Sequence, residues 1–299
     1  MEIKTICCIF NGSKKKPSAL NSFLSLCKQT FGDSFSFFST EYSGHAIRLA
    51  SENVSNFDLF LIIGGDGTVN EILNGILNSS NQKQAIIAVI PFGTGNDFCR
   101  SANLKIGFNN FLNALNEGKI MECDAGIISN GKDSKYFINV ADIGFGGNTV
   151  LELTKLRKKF GASFSYSLAI LKTFLKYKKP LVKIESGEFS YAGPLLLAAC
   201  CNGAIFGNGL HVHPKALVND GIMNITVLAE VSLLDYLLNV FKVKNGKKIK
   251  HKGAFYFEAN SFELTSLSGL IHVETDGEYF SGTNFQVNLV PNAIRLLYI

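Results

Sequence analysis

The sequence predicts two domains: an α/β domain with a mostly parallel sheet, then a β-rich domain of mainly antiparallel strands. Three observations carry that expectation. Strand and helix signals alternate from Ile3 to about residue 120, the rhythm of βαβ units. Beyond Asp124 strand-like runs dominate, punctuated by the Gly, Asn and Asp that antiparallel turns require. The chain has 299 residues, 46% of them hydrophobic, which suffices for two ordinary cores.

Residues 3–10 form an apolar strand that enters the polar turn Asn11-Gly12-Ser13-Lys14. A helix follows, with Leu20, Phe23, Leu24 and Cys27 at helical spacing. Residues 35–38 read as a short strand and 45–50 as the start of a helix. Residues 59–63 and 85–90 are continuous apolar runs, as strands buried on both faces are. Between them a helix carries the stripe Val69, Ile72, Leu73, Ile76 and Leu77. In the second part strands are expected at 125–129, 136–140, 181–184, 195–201, 221–228, 254–258, 262–265 and 271–274. Helical pieces interrupt at 149–157, 165–177 and 233–243. The expected domains are 1–123 and 124–290, with a tail, about 291–299, free to return to the first.

Composition excludes several classes. A net charge of +5 with 18% charged residues is not that of a disordered chain. Twenty-eight Gly and six Pro without a period exclude a collagenous one. The longest apolar runs fall far short of the roughly 20 residues a spanning helix needs. Met1-Glu2-Ile3-Lys4 does not open a secretory signal, so the expectation is a cytoplasmic chain. The seven cysteines, with adjacent pairs Cys7-Cys8 and Cys200-Cys201 inside apolar runs, read as reduced core residues. Positive charge is concentrated: nine Lys and Arg from Lys155 to Lys183, and six Lys from Lys242 to Lys252, with no acid in either stretch. Such stretches suit a solvated face, nucleic acid or an anionic membrane surface.

The chemistry is concentrated in three motifs. Leu59-Phe60-Leu61-Ile62-Ile63 runs into Gly64-Gly65-Asp66-Gly67-Thr68-Val69-Asn70-Glu71. Glycines let a phosphate approach backbone amides, and the helix that opens there favours an anion at its N-terminus. An aspartate among phosphates makes sense with a cation such as Mg²⁺. A second strand leads to Pro91-Phe92-Gly93-Thr94-Gly95-Asn96-Asp97, polar and glycine-rich at a strand's carboxyl end, where open α/β sheets bind ligands. The third, Glu274-Thr275-Asp276-Gly277-Glu278, is an acidic turn whose carboxylates suit a metal ligand and a general base if the fold brings them opposite Asp66.

Together these motifs resemble those of the lipid kinases that share the diacylglycerol kinase catalytic domain, a family that includes bacterial diacylglycerol kinases and sphingosine kinases. Asn139 to Phe145 and the run from Pro214 to Gly221 agree, so the resemblance spans nearly the whole chain. It implies a phosphofructokinase-like nucleotide-binding domain and a β-rich lipid-substrate domain, with the active site in the cleft between them. It places ATP contacts at Asn11, Thr40, Gly64 to Glu71 and Thr94, and substrate contacts at Gly93, Asn96 and Asp97. It makes Glu278 the base, with Asp276 beside it and Asp66 orienting phosphates through Mg²⁺. It puts a structural Mg²⁺ at Asp220 with the carbonyls of Leu217 and Ile222. Two departures stand out: Asn11-Gly12-Ser13 followed by Lys14, Lys15 and Lys16 replaces the family's Asn-Pro, and Gly146-Gly147 stands where many members carry an acid.

The expected activity is transfer of the γ-phosphoryl group of ATP to a membrane-lipid hydroxyl, with diacylglycerol the first choice. Alternatives are another lipid (a sphingoid base, monoacylglycerol or phosphatidylglycerol), a soluble acceptor such as NAD, or a non-enzymatic sensor on the same fold. With a lipid substrate the basic stretches are expected to touch the inner face of an anionic membrane transiently. Nucleic acid is not expected, since no recognition motif or aromatic interleaving accompanies the lysines. The oligomeric state stays open, a homodimer included.

Overall fold

Ile6–Phe10, every side chain buried, is the first strand (β1), and the chain then alternates as βαβ units do. The structure, a computed structural model, describes residues 3–79, 85–157 and 162–299. It divides into two units, Met1–Asp124 with Pro291–Ile299, and Ala125–Val290.

In the first unit the elements after β1 are α1 (Ser18–Phe31), β2 (Phe35–Ser39), α2 (His45–Asn53), β3 (Leu59–Gly64), α3 (Asp66–Leu77), β4 (Ile86–Pro91), α4 (Asp97–Ser101), α5 (Phe111–Glu117) and the start of β5 (Lys119–Ser129). The strand order is β2-β1-β3-β4, all parallel. The end of the last strand, β18 (Asn284–Tyr298), continues parallel to β4 through Arg295 and Leu296. Leu20, Phe23 and Cys27 of α1 pack on Ile6, Cys8, Leu59 and Leu61, the core that the helical spacing pointed to. Because the strands are parallel, the turns after β1, β2, β3 and β4 leave from one edge. The order reverses between β1 and β3, which makes that edge a switch point of the kind where α/β sheets bind ligands.

The second unit continues with β6 (Ser134–Phe137), β7 (Val140–Gly144), α6 (Phe145–Arg157), α7 (Ala162–Lys176), β8 (Leu181–Ser186), β9 (Phe189–Pro194), β10 (Leu197–Cys201), β11 (Ile205–Phe206), β12 (Leu210–His211), β13 (Asn224–Leu228), α8 (Leu233–Lys244), β14 (Ala254–Glu258), β15 (Ser261–Ser266), β16 (Ile271–Thr275), β17 (Glu278–Gly282) and most of β18. Strands β14-β13-β10-β7-β16-β17 form an antiparallel sheet. Its inward-facing Ala141, Ile143, Ala198, Cys200, Ile225, Val227 and Val273 pack on Val182, Ile184, Phe262, Leu264, Phe285 and Val287 of β8, β15 and β18. Alternate residues of each strand face one core, as in a β-sandwich.

Several elements differ from expectation. The strand expected at 136–140 is two, β6 and β7, turned at Ile138-Asn139. Strands β9, β17 and β18 were not expected at all. β18 contains Pro291, a residue that argues against a strand; the ladder to β15 ends at Asn288 and the one to β4 runs through Arg295 and Leu296, while β18 also pairs with β5. Helix α6 begins at Phe145 and not at residue 149. Its Gly146-Gly147 pair sits in the first turn because α6 lies directly on β16: a Cβ at Gly147 would stand 2.3 Å from the Val273 nitrogen. All seven cysteines are buried free thiols, and burial pushes Cys7, Cys99 and Cys123 up to about 12. No described helix is long and apolar enough to cross a membrane.

Candidate active site

The first motif forms where β3 ends and α3 begins. Asn11, in the turn after β1, donates from Nδ2 to Thr68 Oγ1 at 2.9 Å, bridging the switch point between β1 and β3. Thr40, after β2, accepts the Gly12 amide on its hydroxyl at 3.1 Å. Four predicted nucleotide contacts, Asn11, Thr40, Gly64 and Thr68, thus lie along one sheet edge, with Asn11 and Thr68 joined by their side chains and Thr40 bonded to the turn at Gly12.

The two glycine loops meet each other. Phe92 N donates to Gly64 O at 2.7 Å. A Cβ at Gly65 would come within 2.8 Å of Gly93 Cα, and one at Gly93 within 2.5 Å of Gly65 Cα. A Cβ at Gly64 would strike the Thr68 side chain at 2.6 Å. Sequence reasoning reserved these glycines for the approach of a phosphate; the structure gives each a packing reason of its own, close contact within the loops. Asn96, at φ 51°, holds its loop by accepting the Gly93 amide at 2.8 Å. Asp97 opens α4, buried and paired with Arg100 at 3.3 Å. Thr94 is exposed at the tip.

Among the motif's acids, Glu71 and Asp66 divide. Glu71 accepts the amides of Gly44 (2.9 Å) and Ala46 (3.2 Å), so it caps the N-terminus of α2. Asp66 Oδ1 accepts the Phe98 amide at 3.0 Å, while Oδ2 makes no hydrogen bond to a described residue. Asn70 and Val69 are buried on the inner side of α3, where Asn70 Oδ1 accepts from Asn74. Asp124, which sequence reasoning used only as a landmark, is buried and accepts the Asn292 amide at 2.9 Å.

The late turn lies in the second unit. Thr275 pairs with Glu278, so Asp276-Gly277 is a two-residue hairpin loop with both φ positive (49° and 93°), the type I′ geometry for which Asp-Gly is suited. Asp276 is 8% exposed and its carboxylate accepts three consecutive amides, Ile138 (2.7 Å), Asn139 (3.1 Å) and Val140 (2.9 Å), at the β6–β7 corner. Asp276 N returns a bond to Val140 O at 3.1 Å, and Glu274 accepts the Gly277 amide at 2.6 Å. Glu278 is half-buried at the start of β17, and its carboxylate has no hydrogen bond or ion pair with a described residue. Of the three carboxylates in the motif, Glu274 and Asp276 accept backbone amides and Glu278 does not.

The loop from Leu217 to Ile222 supplies Asp220, exposed, with Oδ1 accepting the Ile222 amide at 3.0 Å. The carboxylate and the Leu217 and Ile222 carbonyls make an all-oxygen donor set, the chemistry a hard divalent cation takes. Among the described residues no three His, Cys, Asp or Glu side chains gather as a metal site. The basic stretches carry partners that the linear sequence does not show. Lys155 pairs with Glu152 (2.9 Å) and Lys183 with Glu185 (2.7 Å); Lys158 and Lys159 lie outside the described residues.

Comparison with known proteins matches this arrangement. Residues 5–128 match the diacylglycerol kinase catalytic domain and residues 143–298 the YegS C-terminal NAD kinase beta sandwich-like domain. A Yersinia pestis protein named probable lipid kinase YegS-like is 30% identical over 78% of this chain and 76% of its own length. One from Yersinia enterocolitica is 29% identical over 85% of this chain and 81% of its own. Among solved structures, a diacylglycerol kinase from Bacillus anthracis aligns with TM-score 0.73 at 21% identity, covering 100% of this chain and 98% of that one. An NAD kinase from Archaeoglobus fulgidus in complex with ATP aligns with TM-score 0.56 at 12% identity, covering 98% and 93%; at those identities the two structures speak for the fold. The chain belongs to the YegS-like lipid kinase family, built from a diacylglycerol kinase catalytic domain and a NAD kinase-like β-sandwich.

Proposed function

We propose that the chain transfers the γ-phosphoryl group of Mg·ATP to the hydroxyl of a membrane lipid, diacylglycerol giving phosphatidic acid. The observation that carries the reading is the division among the motif acids. Of the six acids in the three motifs (Asp66, Glu71, Asp97, Glu274, Asp276 and Glu278), Glu278 and one oxygen of Asp66 have no hydrogen bond or ion pair with a described residue, while the other four acids hold protein partners. When bound, ATP would supply the phosphoryl group and Mg²⁺ would supply charge neutralisation. Residues Gly64 to Asn70 and Thr94, with Asn11 and Thr40, border the nucleotide at the switch point; Gly93, Asn96 and Asp97 border the acceptor. Asp66, through its open oxygen, would hold the catalytic cation. Asp220, with Leu217 and Ile222, would hold a structural one. Glu278 takes the hydroxyl proton as general base, a role worth about 10²–10⁴-fold in rate.

The acceptor lies in a bilayer, so the protein works peripherally at the membrane's inner face, drawn there by the lysines from Lys155 to Lys183 and Lys242 to Lys252 at about 1 kcal/mol per cation near the surface. The test is incubation of purified protein with γ-labelled ATP and Mg²⁺ against a panel of lipids in mixed micelles, with NAD as soluble acceptor. Label in phosphatidic acid, lost by several orders of magnitude in Asp66→Asn, is the expected result. Label in NAD and in no lipid overturns the reading.

A further inference from the structure

Helix α8 has an apolar stripe facing the wrong way for a core. Leu234, Leu237, Leu238 and Phe241 stand at i, i+3, i+4 and i+7, the spacing that normally buries one face. Here those side chains are 65, 53, 65 and 74% exposed. The opposite side attaches the helix: Leu233, Tyr236, Val240 and Val243 are half-buried, and the Tyr236 ring lies 5.2 Å from Phe174 of α7. The helix has no buried residue, yet its start is fixed by a full capping box between Ser232 and Asp235. A capped, attached helix that leaves four large apolar side chains in water has a surface meant for something other than water.

Charge selects the partner. Lys242 and Lys244 flank the stripe in the last turn, and Lys247, Lys248, Lys250 and Lys252 follow within eight residues. Leucines and a phenylalanine on one face with lysines at its margins is the pattern of a helix lying in the plane of an anionic membrane surface. A second copy of this chain would have to place those lysines against its own. The neighbouring α7 repeats the pattern in small, exposing Leu171 and Leu175 (43 and 72%) beside Lys172 and Lys176.

We infer that α8 is an interfacial anchor: Leu234, Leu237, Leu238 and Phe241 enter the headgroup–acyl boundary of an anionic bilayer while Lys242 to Lys252 hold its phosphates. This deepens the reading that the acceptor is a membrane lipid. It is tested without nucleotide, so vesicle binding and lipid phosphorylation can fail separately.

The chain contains no Trp, so Phe241→Trp creates a sole fluorescent reporter on the stripe. With phosphatidylglycerol vesicles its emission should shift to the blue and be quenched by brominated acyl chains. Phosphatidylcholine vesicles should give neither response. In co-sedimentation, Leu237→Glu with Phe241→Glu should lower partitioning at least about tenfold, with an unchanged circular dichroism spectrum because both positions are exposed. An indole that stays water-exposed on vesicles, or equal partitioning of the double variant, overturns the anchor. So does a blue shift without vesicles that rises with protein concentration alongside a dimer in light scattering, which would assign the stripe to a second copy.

Discussion

Asp276 and Glu278 are two residues apart and share a motif, but the structure predicts opposite consequences of removing their charge. Asp276 receives three buried amides, two on Oδ1 and one on Oδ2. A hydrogen bond to a charged acceptor contributes about 1.5–3 kcal/mol, and an orphaned buried amide costs about 1–3 kcal/mol. In Asp276→Asn the remaining carbonyl oxygen can keep the amides of Asn139 and Val140, while the new NH₂ faces the Ile138 amide, donor against donor. Asparagine tolerates φ 49°, so the backbone adds little. The expected loss is about 2–4 kcal/mol, out of a total stability of roughly 5–15 kcal/mol. With a urea slope of about 1–3 kcal/mol/M, the unfolding midpoint should fall by about 1 M or more. Glu278→Gln breaks no hydrogen bond or ion pair with a described residue, so its stability should stay within the scatter of a surface change, about ±0.5 kcal/mol. Its phosphorylation rate should fall about 10²–10⁴-fold. Urea titration by far-ultraviolet circular dichroism and a lipid kinase assay on the same preparations decide the matter. An Asp276→Asn protein as stable as wild type but inactive would mean that Asp276 is chemical and the three amides incidental. A Glu278→Gln protein that is destabilised would equally refute the division.

Three further outcomes follow from the site and its surroundings. Glu71→Gln should cost about 1–2 kcal/mol in the unfolding midpoint by weakening the cap on α2, with the KM for ATP nearly unchanged; a large rise in KM at full stability would return Glu71 to the nucleotide. Gly93→Ala places a Cβ 2.5 Å from Gly65 Cα and should destabilise by about 1–3 kcal/mol even before ligand is added; equal apo stability with lost ATP binding would favour a phosphate cradle. Asp142, wholly buried, is raised to about 7 by desolvation and has one oxygen without a partner. The folded state therefore holds a proton that the unfolded chain releases near pH 4, and stability from this group falls as pH rises through about 7. His213, lowered to about 4 by burial and then by Lys248 and Lys215, acts in the opposite sense between pH 4 and 6.5. The measurement is accordingly the difference between Asp142→Asn and wild type at each pH, and melting temperatures should favour the variant increasingly from pH 5 to about pH 7 and level off above it. A pH-independent difference would show that Asp142 does not titrate.

Elements with one clear period were legible in the sequence. The parallel strands are unbroken apolar runs, and α1 and α3 carry stripes that reach the core at Leu20, Phe23, Ile72 and Leu73. What was not legible depended on partners far along the chain. The corner at Ile138-Asn139 interrupts an otherwise strand-like run because Asp276, more than a hundred residues away, takes its amides. β18 looks broken at Pro291 until it is seen to pair with three strands, β15 before that residue, β4 after it, and β5. The stripe of α8 was legible as a helix but not as an outward-facing one, since periodicity names a face without saying what covers it.

The same distinction explains why a motif says less about chemistry than about place. Gly-Gly-Asp-Gly-Thr, Gly-Thr-Gly-Asn-Asp and Asp-Gly-Glu each mix residues that build a loop with residues left open by it. Gly65 and Gly93 are there because two backbones touch, Asn96 because a loop needs its amide held, Glu71 because a helix needs a cap, and Asp276 because a corner needs three acceptor bonds. A carboxylate already saturated by the protein cannot also take a proton from a substrate without releasing what it holds. On the proposed reading the chemistry therefore falls to groups that the fold positions but does not use. Among the acids of the three motifs, Glu278 and the second oxygen of Asp66 have no hydrogen bond with a described residue, a distinction that spacing alone could not draw because it turns on which atoms are already bonded.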